Sequence, residues 1–182
     1  MTATGIVRRI DDLGRIVVPK EIRRVLRIKE GDPMEIFTNR EGEILLKKYS
    51  PIGELREFAG SYAESLHQTT GDLVCITDRD CVVAAAGPKR RDYDGKPLTE
   101  ELENLIERRG TVSADAGEEA FIPIIPDEKE DSCAEAISTI ICNGDCIGAV
   151  VLYGRNREKW QPDAAMQLVQ TAAQFLGKQM EL

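Results

Sequence analysis

The chain has 182 residues, enough for one domain or two small ones, and its 42% hydrophobic and 31% charged content excludes wholesale disorder. The longest apolar runs, such as Ile147–Tyr153, are far shorter than the ~20 residues of a membrane span, and the polar start Met1-Thr2-Ala3-Thr4-Gly5 has no apolar signal segment. The net charge of −8 is unevenly divided, with eleven basic against eight acidic side chains in residues 1–52, and thirteen against twenty-four in residues 53–182. Eight of the basic groups fall within residues 1–29, opposed there only by Asp11, Asp12 and Glu21. Such asymmetry suggests a polyanion-binding head on a solvated acidic body, in a cytoplasmic protein with no membrane partner.

The first elements alternate strand and turn. Gly5–Ile10 is rich in β-formers, Asp11–Gly14 is a turn signal, and Arg15–Val18 is a second strand ended by Pro19. Lys20–Arg27 is predicted helical, with Ile22, Val25 and Leu26 on one face and Lys20, Arg23, Arg24 and Arg27 on the other. Gly31-Asp32-Pro33 stops it. Met34–Thr38 and Glu43–Lys48 form a hairpin about Asn39–Gly42. A head of this size buries too little apolar surface to fold alone, and it holds neither cysteine nor metal cluster. An intertwined homodimer is the physical inference, and it would double the basic face.

After Pro51 a helix carries Ile52, Leu55, Ala59, Tyr62 and Leu66 at 3-4 spacing, either a seam for a partner helix or the core face of an ordinary helix. Strands are predicted at Leu73–Thr77 and Val82–Ala86 around Asp78-Arg79-Asp80. A helix follows at Leu98–Arg109 with Thr99 as a cap, then strands at Phe121–Ile125, Cys133–Ile141 and Ile147–Tyr153. A last helix, Pro162–Met180, bears a second stripe of Ala165, Leu168, Val169, Ala172, Phe175 and Leu176. The class is α+β, with domains at 1–52 and 53–182. Two helical seams added to a head dimer predict a homotetramer.

The five cysteines, Cys75, Cys81, Cys133, Cys142 and Cys146, read as packed side chains in a reducing compartment. Cys142 and Cys146 flank Asn143-Gly144 and are expected to face each other across the hairpin. With no C-x2-C and one histidine, no metal site or cofactor is expected. His67 reads as a helix-end surface residue, the acidic run 127–131 as an exposed loop, and Trp160 as the seat of the last helix. Lys89, Arg90, Arg91 and Tyr93 are the candidates for an anionic small-molecule effector.

The run from Thr4 to Leu26, TGIVRRIDDLGRIVVPKEIRRVL, resembles the AbrB-type swapped-hairpin DNA-binding domain, and Gly31–Ile36 and Leu46–Tyr49 continue the likeness. The resemblance implies an AbrB-like β-barrel dimer, in the branch of the family that adds a GAF-type α/β sandwich and regulates spore development. It implies double-stranded DNA as partner, contacted by Arg8, Arg15, Arg23 and Arg24, with Arg9 and Lys20 as supporting phosphate contacts and the protein at the nucleoid. Arginine suits this work because its planar fork bridges phosphate oxygens or the guanine edge. Readout would lean on DNA shape. Roughly eight phosphates per dimer give a salt slope near −7 by the rule of about 0.9 per phosphate. No enzymatic activity is expected. The competing readings are a cysteine-dependent reductase, which needs a thiolate lowered by a nearby cation, and an antitoxin, whose head carries a short tail instead of a domain.

Overall fold

The structure, a computed structural model, describes residues 5–54, 56–128 and 132–181. Thr4, Leu55 and the last three residues of the acidic run lie outside the described residues. Two compact units divide between Tyr49 and Ser50.

In the first unit the ordered elements are α1 (Lys20–Val25) and the hairpin β1 (Met34–Thr38) and β2 (Ile44–Lys48). The hairpin pairs Ile36 with Leu46 and Phe37 with Leu45. Its loop is closed by the Asn39 side chain, whose Oδ1 accepts from the backbone of Glu41 (3.0 Å) and Glu43 (2.9 Å). Gly42 supplies the left-handed residue at φ 81°. The strands expected at Gly5–Ile10 and Arg15–Val18 are not strands within one chain. A strand exists only by pairing, and these segments meet each other only at the turn, where the Asp11 N–H donates to the Arg15 carbonyl at 3.1 Å. Their apolar side chains stand in solvent, with Val7 88% and Val17 73% exposed.

Helix α1 stops two residues before Arg27. Arg27 adopts φ 52°, Ile28 N–H donates to the Arg23 carbonyl at 2.7 Å, and Arg27 N–H to the Arg24 carbonyl at 3.3 Å. This is the Schellman ending, built on arginine where glycine is usual. The helix buries no residue at all.

The second unit closes its own core. Its elements are α2 (Pro51–Glu54), α3 (Arg56–Thr70), β3 (Leu73–Thr77), β4 (Val82–Ala86), α4 (Arg90–Tyr93), α5 (Glu100–Glu107), β5 (Thr111–Asp115), β6 (Ala134–Cys142), β7 (Asp145–Gly154) and α6 (Pro162–Gln179). The antiparallel sheet runs β4-β3-β7-β6-β5. Both of its faces are covered, so alternate residues enter opposite cores: Val74, Ile76, Val150 and Leu152 meet the α3/α6 side, and Leu73, Cys75, Val151 and Tyr153 the α5 side. Glycine permits two close approaches. A Cβ on Gly148 would lie 1.9 Å from the Thr77 carbonyl oxygen, and one on Gly177 of α6 2.1 Å from that of Ile141.

Several expectations change here. Ile52, assigned to the head, is fully buried in the second unit's core, so the boundary falls earlier. Both helical stripes are used within the chain: Ala59 and Leu66 of α3, and Ala165, Val169, Ala172 and Leu176 of α6, pack on their own sheet. What they leave outside is aromatic. Phe175 stacks on Tyr62 at 5.5 Å and lies 6.0 Å from Phe58, with Phe58 37% and Phe175 40% exposed.

Residues 121–125 form no strand, and the edge beside β6 is taken by β5, a segment for which the sequence predicts no element. Pro123 has no N–H for a ladder, and its neighbours bond to side chains instead. Ile122 N–H donates to Glu135 Oε1 at 2.7 Å, and Ile124 N–H to Glu128 Oε2 at 2.6 Å and the Tyr153 hydroxyl at 3.1 Å. Thr99 Oγ1, the cap of α5, reaches the Pro123 carbonyl at 2.6 Å. Glu128 therefore turns inward from the acidic run, with the Tyr93 hydroxyl donating to its Oε1 at 3.0 Å.

Glu135 is fully buried, and its Oε2 has no hydrogen-bond partner among the described residues. Burial pushes its carboxyl from 4.5 up to about 8. Between those values the folded chain holds a proton that the unfolded chain has released, so this group makes stability fall as pH rises through that window. Glu135→Gln should flatten that part of the profile and stabilise the protein by about 1–3 kcal/mol at the alkaline end. Urea denaturation at pH 5 and pH 8 measures it; an unchanged pH slope would count against the assignment.

Candidate nucleic-acid interface

All six candidate DNA contacts of the first unit are exposed. Arg8 and Arg9 lie on the extended segment before the turn, Arg15 just after it, and Lys20, Arg23 and Arg24 on α1. Of these, the structure fixes Arg15 most firmly. Its Nε donates to Asp11 Oδ2 at 2.8 Å, while Asp11 Oδ1 accepts the backbone N–H groups of Arg15 (2.8 Å) and Leu13 (3.0 Å). The Arg15 N–H, then its guanidinium, hold the Asp11 carboxyl below its usual range. Gly14 at φ 75° makes the turn possible. On sequence Asp11 reads as the start of the turn and as an opposing charge; the side-chain bond to Arg15 is what that reading misses, and the Asx-turn spacing to Leu13 and Arg15 is its signal.

Another basic group is committed to structure. Lys48 Nζ donates to the Arg27 carbonyl and pairs with Asp32 Oδ2, both at 3.1 Å, and the same Oδ2 accepts Lys29 N–H at 2.7 Å. This latch ties the end of β2 to the loop after α1 within the same unit.

In the second unit a cavity of about 530 Å³ is lined by the basic Lys89, Arg91 and Lys96, the acidic Asp92, Asp127 and Glu128, and Tyr93, Pro97, Ile125 and Pro126. Arg90 instead lies 3.9 Å from Glu64. His67 lies in the last turn of α3 and is half-buried, with Nδ1 2.8 Å from the Asp72 carbonyl. Trp160 packs against Gly154, where a Cβ would meet its ring at 2.3 Å, and so seats the start of α6.

The cysteines do not form a reactive pair. Cys142 is paired with Asp145 and Cys146 with Ile141, so the two thiols enter opposite cores instead of facing each other. Burial pushes every thiol up: Cys75 far up, and Cys81 to about 12, with Asp78 beside it adding to the effect. A nucleophilic thiolate requires the reverse. Among the described residues there is also no cluster of three or more potential metal ligands, and no helix long and apolar enough to cross a membrane.

Comparison with known proteins finds two successive matches that meet at residue 54. A family described as stage V sporulation protein T C-terminal, transcription factor, matches residues 54–181, and one described as antidote-toxin recognition MazE, bacterial antitoxin, matches residues 7–54. Stage V sporulation protein T of Bacillus subtilis (strain 168) is 47% identical over 182 residues, covering 100% of this chain and 99% of that one. Transition state regulatory protein AbrB of the same organism is 55% identical over 51 residues, 28% of this chain and 52% of its own. The GAF domain of an Acinetobacter phosphoenolpyruvate-protein phosphotransferase superposes with a TM-score of 0.55 at 13% identity, over 69% of this chain and 81% of that domain, which shows the fold of the second unit.

The match over residues 54–181 and the relative that spans the full chain define a transcription factor. The chain belongs to the stage V sporulation protein T family.

The thiol assignment has a direct check. In the folded protein at pH 8 the buried Cys75, Cys142 and Cys146 should react with a disulfide reagent at least about tenfold more slowly than in denaturant, with Cys81 and Cys133, which are half-buried, slowed less. A fast native phase of one or more thiols would reopen the cysteine chemistry.

Proposed function

We propose that the chain is a sporulation-gene regulator that binds double-stranded DNA through a swapped dimer of its head. The observation that carries this is a small unit whose apolar side chains and basic side chains are both left in solvent. Ile6, Val7, Ile10, Ile16, Val17, Val25, Leu26, Ile36 and Leu45 are each at least 41% exposed. A second copy supplies the missing strand partners and buries that surface, at about 25 cal/mol per Å². It also brings two sets of Arg8, Arg15, Arg23 and Arg24 onto one two-fold surface, with Arg9 and Lys20 as flanking phosphate contacts. The names of the relatives, a sporulation protein and a transition state regulator, support the choice of target genes.

Three finer readings accompany it. The exposed aromatic group Phe58, Tyr62 and Phe175 joins the GAF-fold units of two dimers, giving a tetramer whose paired heads bind one DNA with avidity. The cavity beside Lys89, Arg91, Lys96 and Tyr93, which Asp92, Asp127 and Glu128 also line, is the proposed site of an anionic small-molecule effector. Its place of action is the nucleoid.

Residues 1–53 alone should sediment as a dimer at micromolar concentration; a folded monomer would refute the swapped head. Each Arg→Ala change at 8, 15, 23 or 24 should cost on the order of 1–3 kcal/mol of DNA affinity, with Arg108→Ala as a neutral control. Wild-type binding by the Arg8 and Arg15 variants would remove those contacts. Light scattering of the full chain should give four-chain mass, and Phe58→Glu with Phe175→Glu should reduce it to two. A dimeric wild type would end the tetramer reading.

A further inference from the structure

We infer that Asp11 is a positioning residue for DNA binding: it fixes which edge of the Arg15 guanidinium faces the DNA. The inference rests on the reading above that Arg15 touches DNA. An arginine offers two bidentate edges, one through Nε and a terminal nitrogen, the other through the two terminal nitrogens. Here Nε is already given to Asp11 Oδ2 at 2.8 Å, so only the end-on edge of Nη1 and Nη2 remains for a phosphate or a guanine. The clamp is built from the turn itself, since Asp11 Oδ1 holds the backbone N–H groups of Leu13 and Arg15. Carboxylate, turn and guanidinium are therefore set in place together. With its side chain 69% exposed, Arg15 would otherwise sample many rotamers and lose that freedom on binding.

A negative charge beside a phosphate-binding group also repels the ligand. The inference is that orientation outweighs this repulsion, because the carboxylate engages Nε and leaves the far edge of the guanidinium outward.

Asp11→Asn separates the two effects. An asparagine Oδ1 still accepts the Leu13 and Arg15 N–H groups, so the turn survives, but the charged bond to Nε is lost. The test is a double-mutant cycle in the full-length protein, against a double-stranded fragment selected from random-sequence duplexes by the wild type. Asp11→Asn should weaken binding about tenfold when Arg15 is present and less than about twofold in an Arg15→Ala background. The Arg15 Nε–H resonance should be protected from exchange in the free wild type and exchange rapidly in the variant, while the melting temperature stays the same.

Unchanged or tighter binding by Asp11→Asn would overturn the inference and leave the Arg15 contact standing. Equal weakening with and without Arg15 would also overturn it, since Asp11 would then act through the fold. If Arg15→Ala itself binds like wild type, the underlying contact fails and the inference falls with it.

Discussion

The first unit cannot bury its own apolar surface, and most of what is distinctive about the chain depends on that constraint. Its extended segments have the composition of strands but no neighbour to pair with, and α1 buries nothing. Side chains such as Val7, Val17 and Val25, each more than 70% exposed, would cost on the order of 1.5–3 kcal/mol apiece relative to burial. A unit in that state has no reason to be compact except through the proposed second copy. Self-association would then be a condition of the head's folding, and the two-fold basic surface would follow from it.

The GAF-fold unit is the opposite case. Its sheet is covered on both faces, and even its irregular segment is held by buried side chains. Residues 121–125 run across the Tyr153–Glu128–Glu135 group, which accepts the backbone donors that a strand neighbour would have taken. Burying carboxylates this way is expensive, and one Glu135 oxygen has no hydrogen-bond partner among the described residues. The same group stands behind the Ile125–Glu128 turn that walls the cavity.

Much of this was legible in the residues. The bounds of β3 and β4 followed from β-branched runs around Asp78-Arg79-Asp80, and Thr99 announced α5 because its hydroxyl can reach Leu102 N–H. The misreadings have specific causes. Helical spacing shows that Ile52, Ala59 and Leu66 share a face, but not whether that face meets its own sheet or another molecule. Thr111–Asp115 is an edge strand with a half-polar pattern, too weak for periodicity to find, whereas Phe121–Ile125 had the apolar content of a strand but a proline in its middle. For Cys142 and Cys146 the information was present and misused. A two-residue turn opposes 142 to 145, so 146 must point to the other face. In the head, the basic positions were readable, but the Asp11 clamp depends on backbone geometry that charge counting does not contain.

The division of charge sets how such a protein can hold DNA. The head carries a small positive balance and the rest of the chain a large negative one. Surface charges are screened beyond about 8–10 Å at ordinary ionic strength, so groups in contact with phosphate dominate and the acidic body contributes weak repulsion. That repulsion still acts on every copy, while only correctly oriented arginines oppose it. Under those conditions the gain from fixing a guanidinium before binding is larger than in a uniformly basic protein, where excess lysines could compensate for poor geometry. In the proposed tetramer avidity would work in the same direction, because a second docked head would add its contacts without the entropy of a second association. The acidic body would then serve selectivity: isolated, poorly oriented encounters with DNA fail, and sites that engage several fixed arginines at once are retained.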